Sequence, residues 1–397
     1  MYPPVLLLDP GNFTPIHDIK LAQALLERGW DVTWVTSPHQ FDEIPVMPSL
    51  QVQKAFWAHL RHVPMNGRGL SKRIPVPLRK VTKALSYPFD LDDFHHHLKL
   101  RKPGIIHVQW ALLPFLDQLF WWKWQKAGWI VVFTVHDPRP LAGSLPRVLA
   151  QGVSKLCRKA DAVIVHGQYA RRELAHLAMA EEKLHIIAPG APFMGPPADR
   201  GHARRALGLD PNTPVALFFG YIKPYKGLHI LLESLPLIRK ALGKMTLLVA
   251  GELMEARRRY EKIISRKGLS GEVRWHDGYI PDRFISLYFA AADVVVLPYL
   301  EASSSGVLLT SYACSRPVVA SALGGIPEQV EDGKSGCLVA PGDPATLASA
   351  LIRLLGNPLL AESMGVSGRW LLEKKFAWKD VAASTEALYQ GLWRKRK

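Results

Sequence analysis

Short runs of consecutive apolar residues alternate along the chain with longer stretches in which apolar positions follow a helical spacing. In the first half the runs lie at 5–9, 31–36, 105–110, 130–136, 162–166 and 184–188, and the helical stretches at 16–28, 114–127 and 169–179. Continuous apolar runs predict strands that are buried on both faces, and the amphipathic stretches predict the helices that cover them. The pattern therefore predicts a doubly wound parallel α/β sheet.

The same alternation restarts in the second half. Strands are predicted at 215–220, 246–251, 272–276, 294–298 and 317–320, and helices at 229–241, 255–267, 284–291, 307–314 and 345–355. Between the halves, the proline- and glycine-rich segment 189–197 favours a linker. We predict domains at 1–192 and 193–375, and a terminal helix at 376–397 that packs back on the first domain. Because parallel sheets bind ligands at the carboxyl ends of their strands, we expect the two domains to face each other across a cleft.

Composition describes a folded protein of the cell interior. The 397 residues are 48% hydrophobic and 21% charged, which is typical of globular domains. No apolar stretch approaches the roughly 20 residues of a spanning helix, and no basic segment precedes the first apolar run, so we expect neither a membrane span nor a signal peptide. The three cysteines lie far apart without CxxC spacing, which favours a reducing cytoplasm.

Positive charge is concentrated in one segment. The formal net charge is +16, and residues 54–102 hold eleven Lys or Arg against three Asp. Such a segment predicts a polyanionic partner: nucleic acid, an anionic membrane surface or a phosphorylated ligand. Nucleic-acid recognition motifs are absent, so no nucleic-acid partner is expected. The stretch 75–87 is typical of a basic amphipathic helix, which predicts either peripheral contact with the inner face of the membrane or a solvated face.

The densest candidate chemistry lies between residues 293 and 343. A predicted strand ends in the serine and glycine loop 303–306, which opens a helix at Val307. Unpaired amides at a helix start face an anion of phosphate size. The pair Gly324-Gly325 follows another strand and lets the backbone approach a ligand closely.

These loops belong to an ordered set of motifs. FGYIKPYKG stands at 219–227, LPYLE at 297–301 and GGIPE at 324–328, followed by VEDGKSGCLVAPGD at 330–343. With them the chain resembles the retaining glycosyltransferases of family four, which have two Rossmann-like domains in the GT-B architecture. The resemblance covers nearly the whole chain and is strongest at 215–345. It implies transfer of a hexosyl group from a nucleoside-diphosphate sugar to a hydroxyl acceptor. The nucleotide sugar is then a co-substrate, and no cofactor or metal is implied.

The resemblance also implies roles for single residues. Lys226 stands where the family's lysine holds the donor diphosphate, and a cation there stabilises charge as the glycosidic bond breaks. His136 stands where a histidine faces the donor sugar, and Glu301 where a carboxylate grips the sugar ring. The further donor-binding positions are Gly220, Lys223, Ile280, Ser305, Gly306, Val307, Thr310 and Gly325, and the acceptor-side positions are Gly11 and Asn12.

Several positions depart from the family's pattern. Aligned from Pro317, the family's two glutamates correspond to Ala302 and Thr310, and a threonine hydroxyl offers a ribose less than a carboxylate does. The family's arginine after Phe-Gly is Tyr221, so we expect Lys223 to supply the missing cation. After the first strand, the usual glycine pair is Gly11-Asn12.

No side chain is placed as a clear nucleophile, which favours a front-face reaction in which the leaving phosphate oxygen accepts the acceptor's proton. A nucleotide-sugar epimerase of the same architecture remains an alternative. A nicotinamide-dependent oxidoreductase is disfavoured, because no GxGxxG follows a strand.

Three other features favour structural readings. His95, His96 and His97 follow one another on a predicted helix and, even with His59 and His62, do not form a metal-binding pattern. The Asp90-Leu91-Asp92 triplet is predicted to cap a helix that begins before Phe94. The aromatic residues at 112–129 predict a buried core face or the rim of an interface.

Overall fold

A computed structural model describes residues 2–38, 47–57, 76–138, 147–175, 180–191 and 198–396. The chain forms two compact units, which we call unit 1 (residues 1–190 with 378–397) and unit 2 (residues 191–377). The first division lies beside the proline- and glycine-rich linker. The second lies immediately before the last helix, so both ends of the chain belong to unit 1.

Unit 1 contains a seven-stranded parallel sheet in the order β3-β2-β1-β4-β5-β6-β7. Its strands are β1 (Val5–Asp9), β2 (Val32–Thr36), β3 (Gln51–Lys54), β4 (Ile105–Val108), β5 (Ile130–Val135), β6 (Ala162–Val165) and β7 (Leu184–Ile186). Its helices are α1 (Pro15–Leu26), α2 (Val76–Lys99), α3 (Pro114–Lys126), α4 (Arg147–Lys159), α5 (Gln168–Ala175) and α14 (Trp378–Arg396). Every residue of β1, β2, β4, β5 and β6 is buried, as continuous apolar runs predict.

The last helix, α14, completes the core of unit 1. Val381, Ala382 and Tyr389 are buried in the cluster that lies between α14, α1 and the sheet. At the edge of this contact, Tyr2 donates its hydroxyl to Glu386 at 2.9 Å, and Arg28 pairs with the same carboxylate. Residues from the far end of the chain therefore cover apolar surface that the first 190 residues leave open.

Unit 2 contains a six-stranded parallel sheet in the order β10-β9-β8-β11-β12-β13. Its strands are β8 (Val215–Phe219), β9 (Thr246–Gly251), β10 (Val273–Asp277), β11 (Val294–Leu297), β12 (Val318–Ser321) and β13 (Gly336–Val339). Its helices are α6 (Arg200–Ala206), α7 (Leu228–Leu242), α8 (Arg258–Lys267), α9 (Asp282–Ala291), α10 (Gly306–Ala313), α11 (Ile326–Gln329), α12 (Pro344–Leu355) and α13 (Pro358–Lys375). The two parallel sheets confirm the predicted fold class.

Both sheets reverse their strand order once. In unit 1 the reversal lies between β1 and β4, and in unit 2 between β8 and β11. The loops that leave the carboxyl ends of two such strands run in opposite directions, which opens a crevice where α/β sheets bind ligands. The sheet topology thus directs attention to the loops after β1, β4, β8 and β11.

The structure corrects one prediction about α2. This helix runs from Val76 to Lys99 and passes through Pro88, so Asp90 and Asp92 lie inside it and do not cap a new helix. The proline removes one backbone donor, but Tyr87 and Leu91 are buried on either side of it and hold the helix against the core. Asp90 Oδ2 instead accepts a hydrogen bond from the Trp57 amide at 3.1 Å.

The aromatic residues at 112–129 were predicted to form a buried core face or the rim of an interface, and α3 contains both buried and exposed ones. Phe120, Trp121 and Trp124 are buried, as is Trp129 before β5, which confirms a core face. Trp122 points outward with 51% of its surface exposed.

Candidate active site

The reversal in unit 2 brings together three of the predicted donor-binding residues. Gly220 follows β8 with a φ of +95°, a conformation that favours glycine. A Cβ atom placed on Gly220 would lie 3.4 Å from Lys226 Nζ and 3.7 Å from a methyl group of Val307. The end of β8, the turn at Lys226 and the start of α10 therefore border one small space.

The ammonium group of Lys226 is partly withdrawn from water. Its Nζ lies 5.2 Å from the centroid of the Tyr299 ring, and the residue is half-buried. Desolvation lowers the pKa of Lys226 to about 8, because burial disfavours the charged form. An anion beside Nζ would reverse this effect and keep the group protonated.

Close backbone contact fixes the turn that carries Lys226. Gly227 has a φ of +70°, and a Cβ on it would lie 1.8 Å from the carbonyl oxygen of Pro298. The Leu300 amide donates to the Tyr225 carbonyl at 2.7 Å. The loop after β8 and the loop after β11 are thus packed backbone to backbone.

Ser305 caps the start of α10. Its Oγ accepts a hydrogen bond from the Leu308 amide at 3.2 Å, and its own amide donates to Gln329 Oε1 at 2.9 Å. The Ser305 amide is therefore already engaged, whereas the first two helical amides, those of Gly306 and Val307, have no intrahelical acceptor by the geometry of a helix start. Anion binding at this terminus would fall to Gly306 and Val307.

The other predicted donor-binding residues lie in further loops of unit 2. Glu301 is exposed in the loop between β11 and α10, and Lys223 is half-buried before Lys226. Ile280 is half-buried in the loop between β10 and α9, and Gly325 caps α11. All of them lie in loops at the carboxyl ends of unit 2 strands.

Thr310 lies inside α10, where it is 6% exposed. Its hydroxyl donates to the Gly306 carbonyl at 2.9 Å. Because its hydrogen is already used, this hydroxyl can act toward a ligand only as a hydrogen-bond acceptor.

In unit 1, the predicted acceptor-side residues form the turn after β1. The Asn12 amide donates to the Asp9 carbonyl at 3.2 Å, and Asn12 has a φ of +54°. Gly11 lies under the Phe13 ring, where a Cβ would come within 2.4 Å of a ring carbon. Phe13 itself is 59% exposed at the rim of this turn.

Two buried carboxyl groups lie beneath this turn. Asp9 and Asp18 are both 0% exposed, and Asp9 Oδ2 accepts a hydrogen bond from the Thr14 amide at 3.0 Å. Desolvation raises the pKa of Asp18 to about 7, and desolvation together with the nearby Asp18 raises the pKa of Asp9 well above its usual range.

His136 follows β5 and is held on several sides. The Trp110 ring stacks on it with a centroid distance of 5.0 Å and an angle of 10°. Its Nδ1 lies 3.1 Å from His166 Nε2, and its Nε2 lies 3.0 Å from Gln109 Oε1. The His17 ring packs edge-on at 5.2 Å. His107, in β4, is buried.

The sequence did not single out several residues of these two sites. Trp110 and His166 end predicted strands, so the rule that sites lie at the carboxyl ends of strands could have found them. Tyr299 and Gln329 carry no such signal, because their places beside Lys226 and Ser305 depend on how distant loops pack.

Among the residues that the structure describes, no three or more His, Cys, Asp or Glu side chains group as metal ligands, and no helix is both long and apolar enough to cross a membrane. His96 and His97 bond through Nδ1 to the carbonyls of Asp92 and Asp93 on their own helix. His59 and His62 lie outside the described residues.

Two family models match the chain. The one described as "Glycosyl transferase 4-like domain" matches residues 20–190, and the one described as "Glycosyl transferases group 1" matches residues 213–357. Among curated proteins, a D-inositol 3-phosphate glycosyltransferase of Segniliparus rotundus is 30% identical over 295 residues, which is 69% of this chain. The match spans 65% of that relative's length.

Solved structures share the whole fold. Sucrose-phosphate synthase from Thermosynechococcus elongatus superposes with a TM-score of 0.77 at 22% identity, covering 99% of this chain and 100% of that one. Anabaena HepE in complex with UDP and glucose superposes with a TM-score of 0.72 at 18% identity, covering 98% of this chain and 100% of that one. At these identities the likeness shows the fold.

Proposed function

Because the chain belongs to the glycosyl transferases group 1, with the two Rossmann-like domains of the GT-B type, we propose that it is a retaining hexosyltransferase that uses a nucleoside-diphosphate sugar and a hydroxyl acceptor. The convergence of Gly220, Lys226 and Val307 carries the proposal. These residues place the Lys226 ammonium group and the first amides of α10 around one space. The space stays open because position 220 is a glycine and has no side chain.

The chemistry of the leaving group explains this arrangement. When the bond between the sugar and the diphosphate breaks, negative charge builds on the phosphate oxygens. Fixed donors in a site with little water stabilise that charge more than mobile water does. Lys226 would provide the full charge, and the amides of Gly306 and Val307 would provide the helix dipole.

The sugar and the mechanism complete the proposal. Glu301 would hold the sugar ring and His136 would bind a sugar hydroxyl. No described carboxylate is assigned the role of nucleophile, so the departing phosphate oxygen would take the acceptor's proton on the same face. Retention would appear as an unchanged anomeric configuration in the product's NMR spectrum, and a trapped glycosyl-enzyme adduct would contradict the front-face route.

Donor and acceptor candidates come from the similar proteins. The HepE complex contains UDP and glucose, so UDP-glucose is the first donor to test. The D-inositol 3-phosphate glycosyltransferases suggest a phosphorylated cyclitol as the first acceptor, received at the turn that contains Gly11 and Asn12.

The test combines binding and turnover. A panel of UDP-, GDP- and ADP-sugars is screened by thermal shift, because a ligand that binds only the folded state raises the melting temperature. We expect one nucleotide class to stabilise the protein. Lys226→Met should remove that shift and lower kcat about 10²- to 10³-fold.

The matched control is Lys244→Met. Lys244 is an exposed lysine of unit 2 that pairs with Asp210 at 3.1 Å, away from the loops of the site. It should keep both the shift and the turnover. Full activity in Lys226→Met, or no shift with any nucleotide sugar, would overturn the proposal. Lys223→Ala tests whether Lys223 replaces the family's arginine, with weaker donor binding expected.

We also propose that unit 1 attaches to the cytoplasmic, anionic face of a membrane. The predicted contact lay in 54–102, but the side chains of 58–81 lie outside the described residues. The proposal is supported by large apolar side chains on α2 and α3 that are 45% to 76% exposed to solvent. They are Leu85, Phe89, Phe115, Leu119 and Trp122. Lysines flank them, since Lys155 lies over the Phe115 ring at 5.0 Å and Lys126 ends α3.

Vesicle sedimentation tests this attachment. The protein should sediment with anionic vesicles and remain in solution with neutral ones, because each Lys or Arg near an anionic surface contributes about 1 kcal/mol. Phe89→Ser combined with Trp122→Ser should weaken binding. Trp370→Ser, which alters a 55% exposed tryptophan of unit 2, should leave it unchanged. Equal binding to both kinds of vesicle would contradict the proposal.

A further inference from the structure

A continuous chain of hydrogen bonds crosses unit 1 and includes His136. It starts at Tyr389 of α14, whose hydroxyl lies 2.6 Å from His107 Nδ1, and it ends at the Ile187 carbonyl, 3.0 Å from His166 Nδ1. Gln109 connects the two halves of this series of hydrogen bonds, since its amide lies 3.3 Å from His107 Nε2 and 3.0 Å from His136 Nε2.

The carbonyl end of the chain fixes the first hydrogen. A carbonyl oxygen can only accept, so His166 carries its hydrogen on Nδ1. In the neutral ring, His166 Nε2 then has a lone pair and can only accept. The bond of 3.1 Å between the two rings therefore requires a hydrogen on His136 Nδ1.

Desolvation keeps both rings neutral at physiological pH. It lowers the pKa of His166 to about 4 and that of His136 well below its usual range. The titratable groups beside them, His17 and His107, also have pKa values lowered by burial, to about 4 and about 3. Asp18 Oδ1 lies 3.5 Å from His17 Nδ1.

The orientation of Gln109 follows from these hydrogens. Neutral His136 has a lone pair on Nε2, and an amide oxygen facing it would place two acceptors 3.0 Å apart. The oxygen and nitrogen of a glutamine amide are distinguished by their hydrogen bonds, so we assign the nitrogen to the His136 side. The amide oxygen then accepts from His107 Nε2, which also contacts Thr134 Oγ1 at 2.7 Å, and His107 Nδ1 accepts from the Tyr389 hydroxyl.

We propose that His166 and Gln109 are positioning residues that hold His136 as the neutral tautomer with its hydrogen on Nδ1, so that Nε2 is an acceptor, bonded to the Gln109 amide nitrogen until a sugar hydroxyl takes its place. The Trp110 ring, stacked at 5.0 Å, keeps the plane of the imidazole fixed. The role toward the sugar rests on the proposed function, whereas the tautomer depends only on unit 1.

Nitrogen NMR of the intact protein labelled with ¹⁵N-histidine tests the tautomer without a substrate. The chemical shifts of the two ring nitrogens distinguish a protonated nitrogen from one with a lone pair, and His136→Gln identifies the signals of His136. We expect His136 to be protonated on Nδ1 alone at neutral pH. A hydrogen on Nε2, or a doubly protonated ring, would overturn the proposal.

Turnover tests the positioning. His166→Gln can still accept from His136 Nδ1 through its amide oxygen, whereas His166→Leu cannot. By analogy with partners that orient histidine ligands, His166→Leu should lower kcat about 10- to 100-fold and His166→Gln should restore most of it. His166→Leu should also change the His136 nitrogen shifts.

The outcomes separate the two proposals. Equal turnover in the wild type, His166→Gln and His166→Leu would overturn the positioning role while sugar transfer stands. Absence of sugar transfer in the wild type, with the expected nitrogen shifts, would overturn the proposed function and leave the tautomer in place. If His166→Leu folds poorly, the nitrogen shifts of the wild type and of His166→Gln still decide the tautomer.

Discussion

At the scale of single residues, burial makes ionisable groups serve as neutral polar groups. Asp18 and His107 have pKa values displaced toward their uncharged forms, the first upward to about 7 and the second downward to about 3. Both lie in unit 1. Asp18 lies beneath the candidate acceptor turn, and His107 belongs to the series of hydrogen bonds that includes His136. A neutral carboxyl group can donate a hydrogen bond, and a neutral imidazole can accept one, so these groups acquire roles that their charged forms lack.

Asp18→Asn should change how stability depends on pH. The folded state keeps the Asp18 proton up to about pH 7, whereas the unfolded chain releases it near the ordinary pKa of 3.8. This contribution to the free energy of unfolding is present below pH 3.8 and is lost as the pH rises to about 7. Asparagine stays neutral, so the variant should gain on the wild type over this range.

Urea unfolding between pH 4 and 8, followed by tryptophan fluorescence, measures the difference. The buried histidines act in the opposite sense, because their stabilisation is present above pH 6.5 and is lost as the pH falls to about 4, but they are common to both proteins. Asp92→Asn, which alters an exposed carboxyl of α2, is the control. Parallel curves for Asp18→Asn and the wild type would refute the argument.

At the scale of elements, the sequence predicts strands well where burial alone decides them. The run 5–9 forms β1 at Val5–Asp9, because a strand in the middle of a covered sheet must be apolar throughout. β3 was missed, since Gln51–Lys54 is mostly exposed and is held by its pairing with β2. The motif predicts a role for Lys226, but its contact with Tyr299 and the partners of His136 come from long-range packing that no local pattern encodes.

Gly227→Ala tests the packing of the two loops around Lys226. The alanine Cβ would overlap the Pro298 carbonyl, at 1.8 Å, and would also adopt a φ of +70°. We expect a loss of roughly 3 kcal/mol or more in the free energy of unfolding, together with loss of donor binding.

Gly208→Ala is the matched control, because Gly208 has a φ of +64° but no heavy atom within 4 Å of the added Cβ. It should show only the backbone strain, about 1 kcal/mol. Similar losses in the two variants would mean that the loop contact contributes nothing.

At the scale of the whole molecule, the two units differ in how the chain builds them. Unit 2 is one continuous segment, 191–377, with its own core between α7, α12 and the sheet. Unit 1 is made from two segments, and Tyr389 in the second is fully buried against the first. The units should therefore differ in whether a single segment can fold.

Fragments test this difference. Residues 191–377 alone should unfold cooperatively in urea and keep the binding of the nucleotide that stabilises the full chain. Residues 1–190 alone should aggregate or remain loosely packed, because Val381, Ala382 and Tyr389 no longer cover their apolar surface. Co-expression of residues 378–397 should recover soluble protein. A soluble, cooperatively folded 1–190 fragment would contradict the role of α14.

Because α14 is synthesised last, it also affects how the protein folds during translation. A ribosome adds about 5–20 residues per second, so the nascent first sheet waits on the order of ten seconds or more, until residues 378–396 emerge, before its last face is sealed. Unit 2 can complete its core during that wait. We therefore expect newly made chains to depend on chaperones through their amino-terminal half, and a premature stop codon just before Trp378 to leave a product that quality control removes.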